Sequence, residues 1–178
     1  SVSINPSNLN QIAIGSYSEV PLSITTNGTT LSSYFDESNS ILENPGSGNN
    51  NICISDIEYD KQGNLWVLNC FATNPFKVYT KDGLWYEFNC GSATQNKFSG
   101  RMIIDYSGNK WFSIHDQGLV GTPNGFAILY NGDNAFGALP GEYNAQRIKI
   151  EFEGNVEYVL GNTSISDIEV DGGNRKWI

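Results

Sequence analysis

The chain has one histidine, His115, followed by Asp116 and preceded two positions earlier by Ser113. These residue types are the parts of a serine nucleophile, its general base and the carboxylate that orients the base. Such chemistry also needs convergence in space and an oxyanion site, which this short string does not supply. His115 is therefore expected at a loop or strand end, or as a noncatalytic contact to a ligand or partner. Acid pairs such as Glu151/Glu153 and Asp167/Glu169 suit a strand with one solvated face, whereas glycoside hydrolysis needs two carboxylates facing each other across a pocket. The runs Asp56/Glu58/Asp60 and Asp167/Glu169/Asp171 raise calcium, a hard cation that takes oxygen ligands, but neither has the loop spacing of an EF-hand. Glycines 91, 100 and 121 lack the lysine and hydroxyl of a phosphate loop. No catalytic residue, metal site or cofactor is expected.

Two further groups of residues can do chemistry. Cys53, Cys70 and Cys90 lack the clustered Cys/His spacing of a zinc site. If residues 54–59 turn through 60–64 and return as 65–70, Cys53 and Cys70 lie near the open end of one hairpin. They can bridge there in an oxidising compartment, although ordinary small buried side chains are the default. Among the aromatics, Trp66, Trp111 and Trp177 recur beside a turn and are expected to pack between sheets rather than face a carbohydrate. Trp85, Tyr86 and Tyr130 are less tied to a repeated position. With His115, they are the candidates for a ligand or partner surface.

The elements that position these residues are repeated hairpins. Ile54 to Val67, Ile103 to Phe112 and Ile165 to Ile178 each run through an Asp/Gly/Asn turn into a Trp-bearing strand, with an Asp six residues before each Trp. Asp60, Gly63, Asn64 and Trp66 form the first set, Asp105, Gly108, Asn109 and Trp111 the second, and Asp171 and Trp177 the third. Gly63 and Gly108 permit positive φ in the turn, and the Asp carboxylates accept turn N–H groups, so these acids are read as structural. Successive repeated tryptophans lie 45 and 66 positions apart. That spacing suits propeller blades of about 40–50 residues if the second interval carries an insertion.

The resulting map is all-β: an incomplete segment of a larger β-propeller made of four-stranded antiparallel blades, spanning 1–178. Residues 1–44 form an atypical or incomplete blade with a weak opening, and 52–97 a compact one. Residues 98–164 form an expanded blade with a further hairpin from Arg147 to Phe152 and Val156 to Leu160, and 165–178 begin another. Three and a fraction blades do not close a ring.

Composition narrows the partners. Ten Lys plus Arg against nineteen Asp plus Glu give a formal charge of -9, which opposes nucleic acid and anionic lipid. The longest apolar run, Phe126 to Tyr130, is far too short for membrane insertion as a helix.

At residues 60–67 and their copies at 105–112 and 171–178, the chain resembles the two-component-regulator propeller repeat family. The Gly-Thr that often follows the Trp strand in that family is missing: Leu68-Asn69 and Ser113-Ile114 stand in its place. Leu65-Trp-Val-Leu-Asn69, Asn74-Pro-Phe-Lys-Val-Tyr79, Asp82-Gly-Leu-Trp-Tyr86 and Gly125 to Tyr130 resemble the propeller region of PorZ-like components of the type IX secretion system of Bacteroidetes. The resemblance implies a noncatalytic scaffold in the periplasm or at the cell surface, with another protein and the remaining propeller blades as partners. The alternative it implies is the sensor portion of a hybrid two-component regulator that binds a periplasmic glycan or other small ligand.

Overall fold

The computed structural model describes residues 1–44, 51–88, 98–115, 125–129, 146–161 and 165–178, with the backbone alone described at 98–99, 115, 125–129 and 146–147. Tyr130, Cys90 and Asp116 lie outside these residues, as does the His115 side chain.

Short apolar runs broken by Gly/Asn turns give strands β1 (Val2–Ile4), β2 (Gln11–Gly15), β3 (Tyr17–Ser18), β4 (Leu22–Thr26) and β5 (Thr30–Phe35). They are followed by β6 (Ile52–Tyr59), β7 (Leu65–Asn69), β8 (Phe76–Tyr79) and β9 (Trp85–Phe88). The third group is β10 (Phe98–Ile104), β11 (Lys110–His115), β12 (Gly125–Leu129) and β13 (Gln146–Arg147). Two hairpins follow, β14 (Lys149–Phe152) with β15 (Asn155–Tyr158), and β16 (Glu169–Val170) with β17 (Lys176–Trp177).

The sheets are small antiparallel meanders with orders β1-β2-β4-β5, β3-β6-β7-β8-β9 and β10-β11-β12-β13. Among the described residues no closed barrel or ring of sheets is present. The first sheet opens with a short strand, β1, paired with β2. The hairpin after the third sheet is set at 149–152 and 155–158, a pair of its own, with Gly154 at φ +79° in its turn.

Each sheet packs one face onto the next. Ala13, Leu22, Ile24 and Phe35 of the first sheet meet Ile57, Leu65 and Val67 of the second. The other face of the second sheet, with Trp66, Leu68, Phe76 and Val78, meets Met102, Phe112 and Ile114 of the third. Ile103 and Trp111 of the third sheet pack beside Ile165 and Ile168. This burial uses both sides of β7, whose five residues are all buried, so Leu65 to Leu68 read as a continuous apolar run rather than an alternating one.

Strand alternation alone would point Lys77 to solvent. Instead it is fully buried, because the segment ending at Glu43 folds over that face. Its ammonium meets Glu43 at 2.7 Å and Glu87 at 3.0 Å. Burial opposes ionisation of Glu43, but the Lys77 ammonium and the Thr73 N–H outweigh it and hold the carboxyl below its ordinary value.

Gly63 sits at φ +86°, and a Cβ there would stand 3.3 Å from Asn5 Oδ1. Gly63→Ala is expected to cost about 1–2 kcal/mol, read as a lowered urea midpoint at unchanged m-value. An unchanged midpoint would show that the turn does not need its left-handed residue.

Candidate functional site

The repeated turns resolve the six-residue spacing. Asp60 Oδ1 accepts the N–H groups of Gln62 and Asn64 at 3.0 and 2.9 Å. Its Oδ2 accepts Asn64 Nδ2 and Trp66 Nε1, both at 2.9 Å. Asp105 repeats the arrangement with Ser107 and Asn109 N–H, Asn109 Nδ2, and Trp111 Nε1 at 3.0 Å. Asp171 does so with Gly173 and Arg175 N–H, Arg175 Nε, and Trp177 Nε1 at 3.0 Å. The carboxylate closes the turn on one oxygen and fixes the indole on the other, which ties the loop to the second strand.

The three copies differ in what covers them. Trp66 is fully buried, whereas Trp177 is 60% exposed. A lysine from the next copy reaches back onto each of the first two: Lys110 Nζ lies 4.0 Å from the centre of the Trp66 ring, and Lys176 Nζ 4.9 Å from that of Trp111. Lys176 also contacts Asp105 Oδ2 at 2.9 Å. Burial of Asp105 opposes its ionisation, yet Lys176, Trp111 and Asn109 together hold its carboxyl down at about 2. The Arg175 N–H and the Trp177 indole hold the half-buried Asp171 carboxyl at about 2 as well.

A fourth version of the turn, missed in the sequence, opens the first sheet. Asn5 Oδ1 accepts Ser7 N–H at 2.9 Å, and Asn5 Nδ2 donates to Gln11 Oε1 at 2.6 Å. Gln11 occupies the place of Asn64, and Ala13 that of Trp66, because Ser3 pairs with Ala13 as Glu58 pairs with Trp66. The loop is two residues longer and uncharged, so the Asp-to-Trp spacing gives no trace of it. The turns lie side by side: Ser7 Oγ donates to Lys61 O, Lys61 Nζ to Tyr106 O, and Tyr106 N–H to Asn174 Oδ1.

A second row of polar contacts runs from β6 through β10 to the segment just before β16. The position four before each turn Asp carries Asp56, Arg101 and Asp167. Arg101 lies between the two acids, with Nε 3.0 Å from Asp167 Oδ1 and Nη1 3.7 Å from Asp56 Oδ1. Asp56 Oδ2 accepts Met102 N–H at 2.8 Å, at the irregularity in β10. Burial raises the Asp56 carboxyl despite these partners. Burial and then the Asp56 charge push Glu58 up to about 7, against the opposing pull of Ser3 and Arg101.

Ser113 is buried, and its Oγ accepts Arg101 N–H at 3.0 Å. His115 ends β11, with its backbone opposite Phe98. Among the described residues no group of three or more His, Cys, Asp or Glu side chains converges as a metal site. In the acidic runs weighed for calcium, the Asp60 and Asp171 oxygens face N–H donors, an arrangement that opposes a cation.

The structure separates Trp85 from Tyr86. Trp85 is half-buried against Phe35 and Tyr79, with ring centroids at 5.3 and 5.1 Å, between the first and second sheets. Its Nε1 and the Tyr59 hydroxyl are buried without a hydrogen-bond partner among the described residues. Tyr86, on the opposite face of β9, is exposed.

No protein-family model matches the chain, and no curated protein matches it. Two solved structures do. One is described as PorZ, an essential bacterial surface component of the type-IX secretion system of Porphyromonas gingivalis. It aligns at TM-score 0.61 and 18% identity over 99% of this chain and 30% of that one. The other is the extracellular domain of a protein assigned as a one-component system in B. thetaiotaomicron, at TM-score 0.51 and 16% identity over 99% and 25%. At these identities the likeness is one of fold. The chain spans less than a third of the length of either structure.

Proposed function

We propose that the chain is part of a β-propeller and serves as a noncatalytic extracytoplasmic scaffold for protein interaction, in secretion or surface attachment. The observation that carries this reading is the match of 99% of the chain to proteins described as a surface component and an extracellular domain. Local chemistry supports it: the repeated Asp, Asn and Trp side chains are spent on turns and on contacts between neighbouring sheets. The order of packed faces supports the propeller. Each later sheet covers one face with its predecessor, while the matching face of the first sheet exposes Val2, Ile4, Ile14, Leu31 and Tyr34, as suits contact with a further blade.

The sensor reading shares the same fold evidence and rests on the exposed Tyr86 as a stacking surface for a sugar ring. A glycan array probed with the purified chain separates the two. The scaffold reading expects no glycan signal above background, while a hit abolished by Tyr86→Ala at unchanged melting temperature would replace it with sensing. Capture of type IX machinery by the parent protein in cells, at wild-type level with the Tyr86 variant, is the positive result expected of the scaffold.

A further inference from the structure

We propose that Cys53 and Cys70 form a built disulfide site that clamps β6 to the end of β7. Ile54 faces Asn69 across the hairpin, so Cys53 directly faces Cys70, and the Cys70 N–H donates to Cys53 O at 2.8 Å. Directly opposed residues sharing such a bond stand about 5.5 Å apart at Cα, within the ~4.4–6.8 Å that a disulfide spans. Both cysteines are buried thiols, and they hydrogen-bond to each other. The pairing itself is independent of the protein's role. Only the oxidising surroundings in which it would be used come from the extracytoplasmic reading.

The oxidant is an external disulfide, either a small-molecule disulfide or a dithiol oxidase in its disulfide form. Cys53, at 8% exposure against 0% for Cys70, is the better placed to meet it. The Cys53 thiolate attacks one sulfur of the oxidant, forming a mixed disulfide and releasing one thiolate. Cys70 then loses its proton and attacks the Cys53 sulfur, expelling the second thiolate. Two cysteine protons and two electrons pass to the oxidant, which leaves as two thiols. That first cysteine is held protonated in the folded chain by the Cys70 contact and by burial. Exchange is therefore fastest while the hairpin is still forming, and the closed bond is shielded afterwards.

The test is refolding of the purified chain in a mixture of reduced and oxidised glutathione, followed by alkylation and trypsin digestion. Lys61 lies between the two cysteines, and Lys77 and Lys81 separate Cys70 from Cys90. Each cysteine therefore falls on its own peptide. The expected product links the Cys53 and Cys70 peptides, with Cys90 alkylated. Dominant linkage through Cys90, or alkylation of both Cys53 and Cys70, overturns the proposal. In Cys90→Ser, the oxidised form should melt roughly 6–12 °C above the reduced form. An equal or lower melting temperature overturns the clamp even where the linkage forms. All these outcomes are indifferent to whether the protein is a scaffold or a sensor.

Discussion

Asp60→Ala is expected to lower unfolding free energy by roughly 3–4 kcal/mol, because it strips a buried site of an acceptor used four times. The carboxylate receives two turn N–H groups, the Asn64 amide and the Trp66 indole, and the residue is only 7% exposed. Removing it leaves Trp66 Nε1 buried with no replacement from water, since the ring is enclosed by Phe76, Phe88 and Lys110. Asp60→Asn should fall between wild type and Ala. It keeps one acceptor for the indole but turns an NH2 group toward existing donors. Urea denaturation followed by tryptophan fluorescence reads both variants. Asp171→Ala, at the exposed copy, should shift the midpoint far less. A loss below about 1 kcal/mol at Asp60, or equal losses at Asp60 and Asp171, would show that the turns hold without their carboxylates.

The second large effect is on pH dependence. Glu58 has its carboxyl raised to about 7 from an ordinary 4.5, first by burial and then by the Asp56 charge. Between those values the folded chain holds a proton that the unfolded chain has released. Stability from this group is therefore fully present below about 4.5 and is lost as pH rises through about 7. The displacement corresponds to about 3 kcal/mol at full strength, and partial solvent access brings the expected loss to about 1–2 kcal/mol. Asp56, also raised by burial, acts in the same direction. Asp105 acts oppositely: held at about 2 against an ordinary 3.8, it contributes stability that disappears as pH falls through that range. The chain should therefore be most stable in mildly acidic solution. Glu58→Gln should flatten the decline toward neutrality and gain about 1–2 kcal/mol at alkaline pH. Melting curves across a buffer series check this. A wild-type profile that rises steadily from mild acid to neutrality would remove Glu58 as the controlling group.

The hairpins were legible in the sequence where both partners lie within one turn and its strands. Asp60 and Trp66 meet because six residues of one tight turn bring them together, and the same spacing at Asp105 and Asp171 makes the pattern repeat. The first turn was not legible, because two extra residues and the Asn5, Gln11 and Ala13 replacements erase the spacing while preserving the geometry. The row Asp56, Arg101, Asp167 joins residues far apart in the chain, so no local window contains it. Comparing one position across the aligned copies would have exposed the alternating signs. Lys77 defeated strand alternation for a different reason: the cover on its face comes from residues around Glu43, a segment without strand periodicity of its own. Trp85 was read with Tyr86 as a candidate surface aromatic, because the sequence does not show on which side of β9 the neighbouring sheet lies. As a result the surface role considered for both Trp85 and Tyr86 suits the exposed Tyr86 better.

The backward reach of Lys110 to Trp66 and of Lys176 to Trp111 bears on how such a chain can change over evolutionary time. The third sheet carries both halves of the joint, Lys110 for the sheet before it and the Asp105-Trp111 receptor for Lys176 after it, whereas the second sheet, with Leu65 at the lysine position, carries the receptor alone. Tandem duplication of one such unit regenerates a complete joint on both sides without a compensating change elsewhere. The first sheet, with Ile12 and Ala13 at those two positions, has neither half. Duplications seeded from the third sheet would thus be accepted more readily than duplications of the first, giving the array a preferred direction of growth.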